Sequence, residues 1–193
     1  MTNQNLQRTI LQNKAVALSK LHRSLALEYS TGCGKTLAAM RIVEDIIKDN
    51  PDAVGVLVCK ESNHLNNWCE DITKHNKNHI WMSLGSILYA SLHRLNTGYL
   101  DYIILDECHA LTDKRVDALK RLIGPNTKLI FLSATIPYEK KILVQQVAKG
   151  TPHYDSITLV NAIDMGLLPS PKVIVHNASL VSSTTREYKY QHH

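Results

Sequence analysis

The chain has 193 residues, of which 44% are hydrophobic, and its 22 basic and 17 acidic side chains give a formal charge of +5. These values suit one globular domain with a substantial core, and the modest basic surplus favours a polyanionic partner. No stretch approaches the roughly twenty apolar residues of a membrane span, so no membrane partner is expected.

The N-terminal part of the chain predicts a helix, a strand and a second helix in succession. Residues 5–21 carry apolar side chains at helical spacing and predict one or two helices. The short apolar run Ser24–Tyr29 is typical of a buried parallel strand. A helical pattern follows from residue 37 and stops near the Asn-Pro pair at 50–51.

The loop between this strand and the second helix has the composition of a phosphate-binding P-loop. Glycines allow backbone N–H groups to approach phosphate oxygens, and the lysine and threonine of such loops reach the β/γ-phosphates and Mg²⁺. The general pattern opens with glycine where this chain has Tyr29, and a chance glycine turn before a helix is the alternative. We expect ATP to be bound by Thr31, Gly32, Cys33, Gly34, Lys35 and Thr36, with Thr36 as a magnesium ligand.

A second chemical motif follows the hydrophobic run at residues 101–105. Asp106 and Glu107 come directly after this predicted strand, and ligands of open α/β sheets bind beyond the carboxyl ends of strands. Asp106 would hold Mg²⁺ and Glu107 would orient and deprotonate the attacking water, so both are candidate catalytic residues together with Lys35. The alternative is that such a pair lies in an exposed turn or caps a helix. A P-loop earlier in the chain makes this alternative less favoured.

The spacing of the predicted elements favours an α/β fold. Strands are predicted near residues 24–29, 54–59, 86–90, 101–105 and 128–133, and they alternate with helical segments. This alternation argues for a doubly wound, mainly parallel sheet with the P-loop, the acidic motif and Ser133-Ala134-Thr135 on one rim. Beyond that rim we predict helices at 138–148 and 157–165 and a last strand at 172–176. Residues 1–178 are assigned to one domain and 179–193 to a linker or tail.

In this order the three motifs resemble those of the first RecA-like domain of superfamily-two DEAD/DEAH-box-like helicases and translocases. The DEAH-type box is spelled Asp-Glu-Cys-His here, and the resemblance is to the Swi/Snf and restriction types. It extends from near the N-terminus to about Pro137. It implies ATP and Mg²⁺ as cofactors, and it implies that His109, Ser133 and Thr135 couple hydrolysis to nucleic-acid engagement.

The same resemblance implies which residues contact the nucleic-acid track, the strand along which such a motor moves, and which residue recognises adenine. Residues 56–68, which end in an Asn-Trp pair, resemble a track-contacting segment, and residues 91–95 resemble the next such motif. The alternatives are that Trp68 is a packing residue, that Arg94 lies on a solvated helix face and that Gln12 is a solvated helix glutamine. The implied track residues are Lys60, Ser62, Ser91 and Arg94, and the implied adenine-recognising residue is Gln12.

The resemblance implies a motor domain that couples Mg-ATP hydrolysis to movement on DNA or RNA, with DNA favoured. The family's second RecA-like domain, which supplies arginines to the γ-phosphate, has no counterpart in this sequence and would act in cis or in trans. The alternatives are a non-catalytic P-loop module that binds ATP and a partner, and a P-loop ATPase that acts on protein. Four cysteines without a C-x-x-C pair predict reduced thiols and a cytoplasmic location.

Overall fold

The structure, a computed structural model, describes residues 3–170 and contains a six-stranded sheet in the order β3-β2-β4-β5-β1-β6. Every pair of neighbouring strands is parallel. The strands are β1 Ser24–Tyr29, β2 Gly55–Cys59, β3 Leu84–Leu88, β4 Leu100–Leu105, β5 Ile123–Ser133 and β6 His153–Ile157. The α-helices are α1 Asn3–Leu21, α2 Lys35–Asp49, α3 Ser62–Lys74, α4 Asp113–Lys120, α5 Tyr138–Ala148 and α6 Leu159–Asp164. Three 3₁₀-helices span Asn78–Met82, Tyr89–Arg94 and Cys108–Ala110.

Alternate residues of the central strands pack into two separate cores, one on each face of the sheet. In β4, Tyr102 and Ile104 belong to the cluster that includes buried residues of α2 and α3, whereas Ile103 and Leu105 belong to the cluster that includes α4 and α5. Because successive side chains of a strand point to opposite faces, a run that is apolar throughout is buried on both sides. This explains why the continuous apolar runs predicted as strands occupy central positions in the sheet.

The predicted doubly wound, mainly parallel α/β architecture is confirmed, and the structure differs from the element predictions in two details. The helix predicted at 157–165 is α6, Leu159–Asp164, and the strand β6, His153–Ile157, precedes it and was not predicted. β6 was missed because its sequence, His-Tyr-Asp-Ser-Ile, carries little apolar signal. Within residues 3–170 it lies at the sheet edge, where it pairs with β1 alone. β5 begins at Ile123, five residues before the predicted start.

Other predictions concern the ends of the chain and the cysteines. The N-terminal segment forms the single helix α1. The strand predicted at 172–176 and the linker or tail predicted at 179–193 lie outside the described residues. All four cysteines are free thiols, and three of them are buried. Among residues 3–170, no helix combines the length and the apolarity that a membrane crossing needs.

Gly55 provides a stability test of the sheet packing. A Cβ at this position would lie 2.2 Å from Cε2 of the buried Tyr102, which is far inside van der Waals contact. Gly55→Ala therefore forces the aromatic ring or the strand to move, and we expect a loss of about 1–3 kcal/mol in the free energy of unfolding. Urea denaturation at equilibrium measures this loss.

Gly85→Ala is the matched control, because Gly85 lies on the neighbouring strand β3 and pairs with Val56. A Cβ at Gly85 would have its nearest neighbour, the carbonyl oxygen of Gly55, at 3.8 Å. We expect this change to alter stability by no more than about 0.5 kcal/mol. Equal losses in the two variants would contradict the packing argument.

Candidate nucleotide-binding site

The strand order brings the three sequence motifs to one rim of the sheet. The P-loop follows β1, Asp106-Glu107 follows β4 and Ser133-Ala134-Thr135 follows β5. β4, β5 and β1 are consecutive neighbours in the sheet and all run in the same direction. The carboxyl ends of these strands, where parallel sheets bind ligands, therefore carry all three motifs side by side.

The loop between β1 and α2 has the backbone that a phosphate cradle needs. Gly32 and Gly34 have φ of +86° and +89°, a left-handed conformation that favours glycine. A Cβ on Gly32 would lie 3.0 Å from Cδ2 of Leu168, and one on Gly34 would lie 3.3 Å from Nε2 of Gln12. Glycine at these positions therefore satisfies both the backbone geometry and the close packing, and the predicted adenine residue Gln12 lies against the loop.

Lys35 is the first residue of α2 and points back toward the start of the loop. Its Nζ donates a hydrogen bond to the carbonyl oxygen of Tyr29 at 2.7 Å. Burial lowers the pKa of Lys35, while the negative charges of Glu107 and Asp106 oppose that shift. The ammonium group thus lies in a partly desolvated position between the loop and the two acids, where an additional anion would be strongly attracted.

In the acidic motif, hydrogen bonds hold the Asp106 carboxylate, and the Glu107 backbone adopts an uncommon conformation. Asp106 Oδ2 accepts a hydrogen bond from Trp68 Nε1 at 2.9 Å, and Oδ1 accepts one from the Glu107 backbone N–H at 3.1 Å. Glu107 has φ of +49°, a left-handed conformation that is uncommon for a non-glycine residue. Such strain concentrates at functional sites, so it supports the candidate assignment of this turn.

His109 connects the acidic motif to the motif after β5. Its Nδ1 lies 3.1 Å from Glu107 Oε2 and 3.2 Å from Ser133 Oγ. The Ser133 hydroxyl donates a hydrogen bond to the Thr135 carbonyl oxygen at 2.6 Å, which leaves its oxygen free to accept from His109. The three predicted coupling residues are therefore joined to Glu107 by a short polar chain.

Asp106 is expected to make the stability of the folded protein depend on pH. Burial raises the pKa of Asp106, and the hydrogen bond from Trp68 only partly offsets this shift. A carboxyl whose pKa is higher in the folded state favours folding when it is protonated, so its contribution is lost as the pH rises through the folded pKa. We expect wild type to lose stability relative to Asp106→Asn as the pH rises from about 4, near the ordinary pKa of aspartate, towards neutrality.

Urea denaturation at a series of pH values measures this difference, because the asparagine does not titrate. A pH-independent difference between wild type and Asp106→Asn would contradict the raised pKa.

A cleft of about 840 Å³ opens along this rim. Every residue predicted to bind the nucleotide lines this cleft, except Cys33, which is buried. Asp106 and Glu107 form part of the cleft wall. Polar side chains of α1, of α3 and of the residue after α3, none of which was predicted to bind a ligand, also line the cleft. Those of α1 recur at helical spacing with Gln12, which was the available signal. They are Asn5, Arg8 and Thr9 on α1, His64, Asn67, Glu70, Asp71 and Lys74 on α3, and His75 directly after α3.

The side chains that line the cleft can hold the predicted Mg²⁺. Among residues 3–170, no three His, Cys, Asp or Glu side chains are grouped so that they could hold a metal ion by themselves. Mg²⁺ is usually bound through one or two carboxylates, together with waters and substrate phosphates. A single carboxylate, Asp106, and the Thr36 hydroxyl in one cleft with a phosphate loop match that mode.

Tyr29 at the opening position of the loop is anchored by a hydrogen-bond network that was not predicted. Its hydroxyl donates to Asp155 Oδ2 at 2.6 Å, and Lys14 Nζ pairs with Asp155 Oδ1 at 2.6 Å. Tyr29 is fully buried, and its carbonyl is the one that accepts the hydrogen bond from Lys35. The tyrosine thus replaces the usual glycine with a side chain that joins α1, β1 and β6.

The predicted track residues lie outside the cleft. Lys60 is exposed after β2 and lies 3.8 Å from the Glu61 carboxylate, and Ser62 is the first residue of α3. Ser91 and Arg94 belong to the 3₁₀-helix that follows β3. Because β2 and β3 are parallel neighbours, these residues follow the carboxyl ends of adjacent strands, farther along the sheet from the nucleotide motifs.

Comparison with known proteins identifies the fold. No protein-family model matches this chain, and no curated protein matches it. The solved structures that it resembles include the Sulfolobus solfataricus SWI2/SNF2 ATPase core in complex with dsDNA, with a TM-score of 0.57 and 24% identity over 72% of this chain and 34% of that one. For the Pyrococcus furiosus Hef helicase domain the TM-score is 0.58, with 20% identity over 76% of this chain and 38% of that one. For the UvsW helicase from bacteriophage T4 the TM-score is 0.62, with 14% identity over 76% of this chain and 58% of that one.

These likenesses show that the chain has the RecA-like α/β fold that these ATPase and helicase structures share. The predicted resemblance is confirmed at the level of the fold. The chain spans between 34% and 58% of the length of these three structures.

Proposed function

We propose that this chain is the ATP-binding motor domain of a nucleic-acid helicase or translocase. The observation that carries the proposal is the convergence of three groups on one cleft. These groups are a loop with two left-handed glycines, a lysine at a helix N-terminus and an Asp-Glu pair on a strained turn. Each group suits a different part of Mg-ATP, and the groups follow the carboxyl ends of β1 and β4, which are separated in the sheet by β5 alone.

The side chains divide the chemistry of ATP hydrolysis between them. Backbone N–H groups of the loop and the Lys35 ammonium would hold the phosphates, and Thr36 and Asp106 would hold Mg²⁺. The ion supplies charge neutralisation at the phosphate oxygens when it is bound. Glu107 would orient a water molecule and accept its proton, and the neighbouring His109 would stabilise the carboxylate that performs this step.

The polar chain from Glu107 through His109 to Ser133 supports a coupling function for the motif after β5. A change at Glu107 alters the hydrogen-bonding partner of His109, and His109 in turn contacts Ser133. Ser133 is tied to the Thr135 carbonyl at the exit of β5. Hydrolysis beside Glu107 would therefore change the contacts of the segment that leads from β5 into α5.

Nucleic acid is the proposed track, with DNA favoured over RNA. The sheet rim carries Lys60, Ser62, Ser91 and Arg94 at the ends of adjacent strands, where hydroxyl and basic groups suit a phosphate backbone. One of the similar structures is a SWI2/SNF2 ATPase core in complex with dsDNA. A second RecA-like domain, in the same chain or in another, is the proposed partner that completes the cleft.

Steady-state ATP hydrolysis with and without DNA or RNA tests the proposal. We expect ATP binding that Mg²⁺ strengthens, and hydrolysis that rises when nucleic acid is added. Binding to nucleic acid should weaken steeply with added salt, because phosphate contacts release counterions. Absence of Mg-ATP binding would overturn the proposal, and nucleic-acid binding that is insensitive to salt would overturn the assignment of the track.

The alternative function is a non-catalytic module that binds ATP and depends on another chain for turnover. Bound ATP without measurable hydrolysis, with turnover restored by a partner chain, would support this alternative. A P-loop ATPase that acts on protein would instead be stimulated by a protein substrate and not by nucleic acid.

A further inference from the structure

Trp68 is the one side chain on α3 that donates a hydrogen bond to a candidate metal ligand within the described residues. Its indole Nε1 lies 2.9 Å from Asp106 Oδ2. Tryptophan is a donor only, so this hydrogen bond has a fixed direction and persists at any pH at which Asp106 is ionised. The side chain is 2% exposed and belongs to the core cluster that also contains Ile72 and Leu57, so the donor is held by its packing.

The hydrogen bond determines how the Asp106 carboxylate can face the cleft. The other oxygen, Oδ1, accepts from the Glu107 backbone N–H at 3.1 Å, and the backbone N–H of Asp106 donates to Val58 in β2. With one donor on each oxygen, the plane of the carboxylate is fixed while each oxygen keeps further acceptor capacity. Trp68 and Asp106 both line the cleft, so that capacity is available to a ligand there.

We propose that Trp68 is a positioning residue that sets the magnesium affinity of the nucleotide site by orienting Asp106. This inference rests on the proposed Mg-ATP site. Groups that hydrogen-bond a metal ligand orient it, and their removal typically lowers metal affinity by about 10- to 100-fold. Packing was one interpretation of Trp68 from the sequence, and the structure shows that this buried residue also reaches the acidic motif.

Trp68→Phe is the test, because phenylalanine keeps an aromatic ring and loses the N–H donor. ATP binding is measured by calorimetry in excess Mg²⁺ and in EDTA, and Mg²⁺ is titrated at constant ATP. We expect the apparent Mg²⁺ affinity to fall by about 10- to 100-fold, with ATP affinity in EDTA unchanged. Equal loss of ATP affinity in both conditions would indicate a purely structural function and overturn the proposal. So would an unchanged Mg²⁺ affinity in a variant that binds ATP normally.

Trp81→Phe is the matched control, since Trp81 is the other of the two tryptophans, lies in the 3₁₀-helix Asn78–Met82 and does not line the cleft. This variant should bind Mg²⁺ and ATP like wild type. Its remaining tryptophan, Trp68, should change its fluorescence when Mg²⁺ is added to the ATP complex, whereas Trp81 in Trp68→Phe should not.

The fluorescence measurement keeps the proposal testable if Trp68→Phe fails to fold. Trp68 emission that does not respond to Mg²⁺ in ATP-bound Trp81→Phe would overturn the proposal. Failure of the wild type to bind Mg-ATP is a different result, because it would overturn the proposed function itself. Normal Mg-ATP binding by wild type, together with an unresponsive Trp68, would leave the proposed function standing.

Discussion

Lys35→Ala is expected to reduce the affinity for Mg-ATP by about 30-fold to several thousand-fold. This range corresponds to the 2–5 kcal/mol that is typically lost when one partner of a buried charge pair is truncated. The Lys35 ammonium lies in a partly desolvated position beside the loop, where its charge is weakly screened by water. Isothermal titration calorimetry with ATP, at constant Mg²⁺ and salt, measures the change.

Lys48→Ala serves as the matched control for this prediction. Lys48 lies in the last turn of the same helix, α2, and is exposed. Removing its charge changes the net charge of the protein by the same amount and leaves the loop untouched. We expect its ATP affinity to stay within about twofold of wild type, since an exposed charge contributes little at a distance. Similar losses in the two variants would show that net charge, and not the loop lysine, governs binding.

Glu107→Gln is expected to lower ATP hydrolysis by about 10²- to 10⁴-fold while ATP binding stays close to wild type. This is the range that a positioned general base contributes to a rate. Glutamine keeps the size of the side chain and can still contact His109. It cannot accept a proton from water. Single-turnover hydrolysis with enzyme in excess over ATP measures the chemical step even where steady-state turnover is slow.

Glu139→Gln is the control for the loss of one carboxylate. Glu139 lies in the first turn of α5, is exposed and does not line the cleft. Its hydrolysis rate should equal that of wild type. A Glu107→Gln protein that hydrolyses ATP at the wild-type rate would exclude Glu107 as the general base, whereas loss of both binding and hydrolysis would show that Glu107 also supports the bound state.

The Tyr29 network illustrates why part of the site could not be predicted. Tyr29 was recognised only as a departure from the glycine that opens the general P-loop pattern. Its hydroxyl partner, Asp155, is 126 residues away in the chain and lies on the strand that the sequence did not reveal. Since no local pattern relates two residues at that distance, the pairing depends on β6 lying beside β1.

The contact between Trp68 and Asp106 has the same explanation. The Asn-Trp pair was recognised as part of a motif, and Asp106 was recognised as an acid at the end of a strand. Their hydrogen bond joins residues 38 positions apart, and it exists because β2, which precedes α3, is the neighbour of β4. Sequence motifs identify which residues carry chemistry, whereas strand order decides which of them meet.

The sequence by itself determined the elements whose signals are local. The apolar run before the loop, the glycines at left-handed positions and the helical pattern after Thr36 specify β1, the loop and α2 without reference to the rest of the chain. The alternation of predicted strands with helical segments also predicted a mainly parallel α/β sheet. Only the tertiary structure decided that β4, β5 and β1 are neighbours, that β6 covers the edge beside β1, and that Trp68 reaches Asp106. The physical reason is that strand pairing and side-chain contacts depend on long-range packing, which local propensities do not encode.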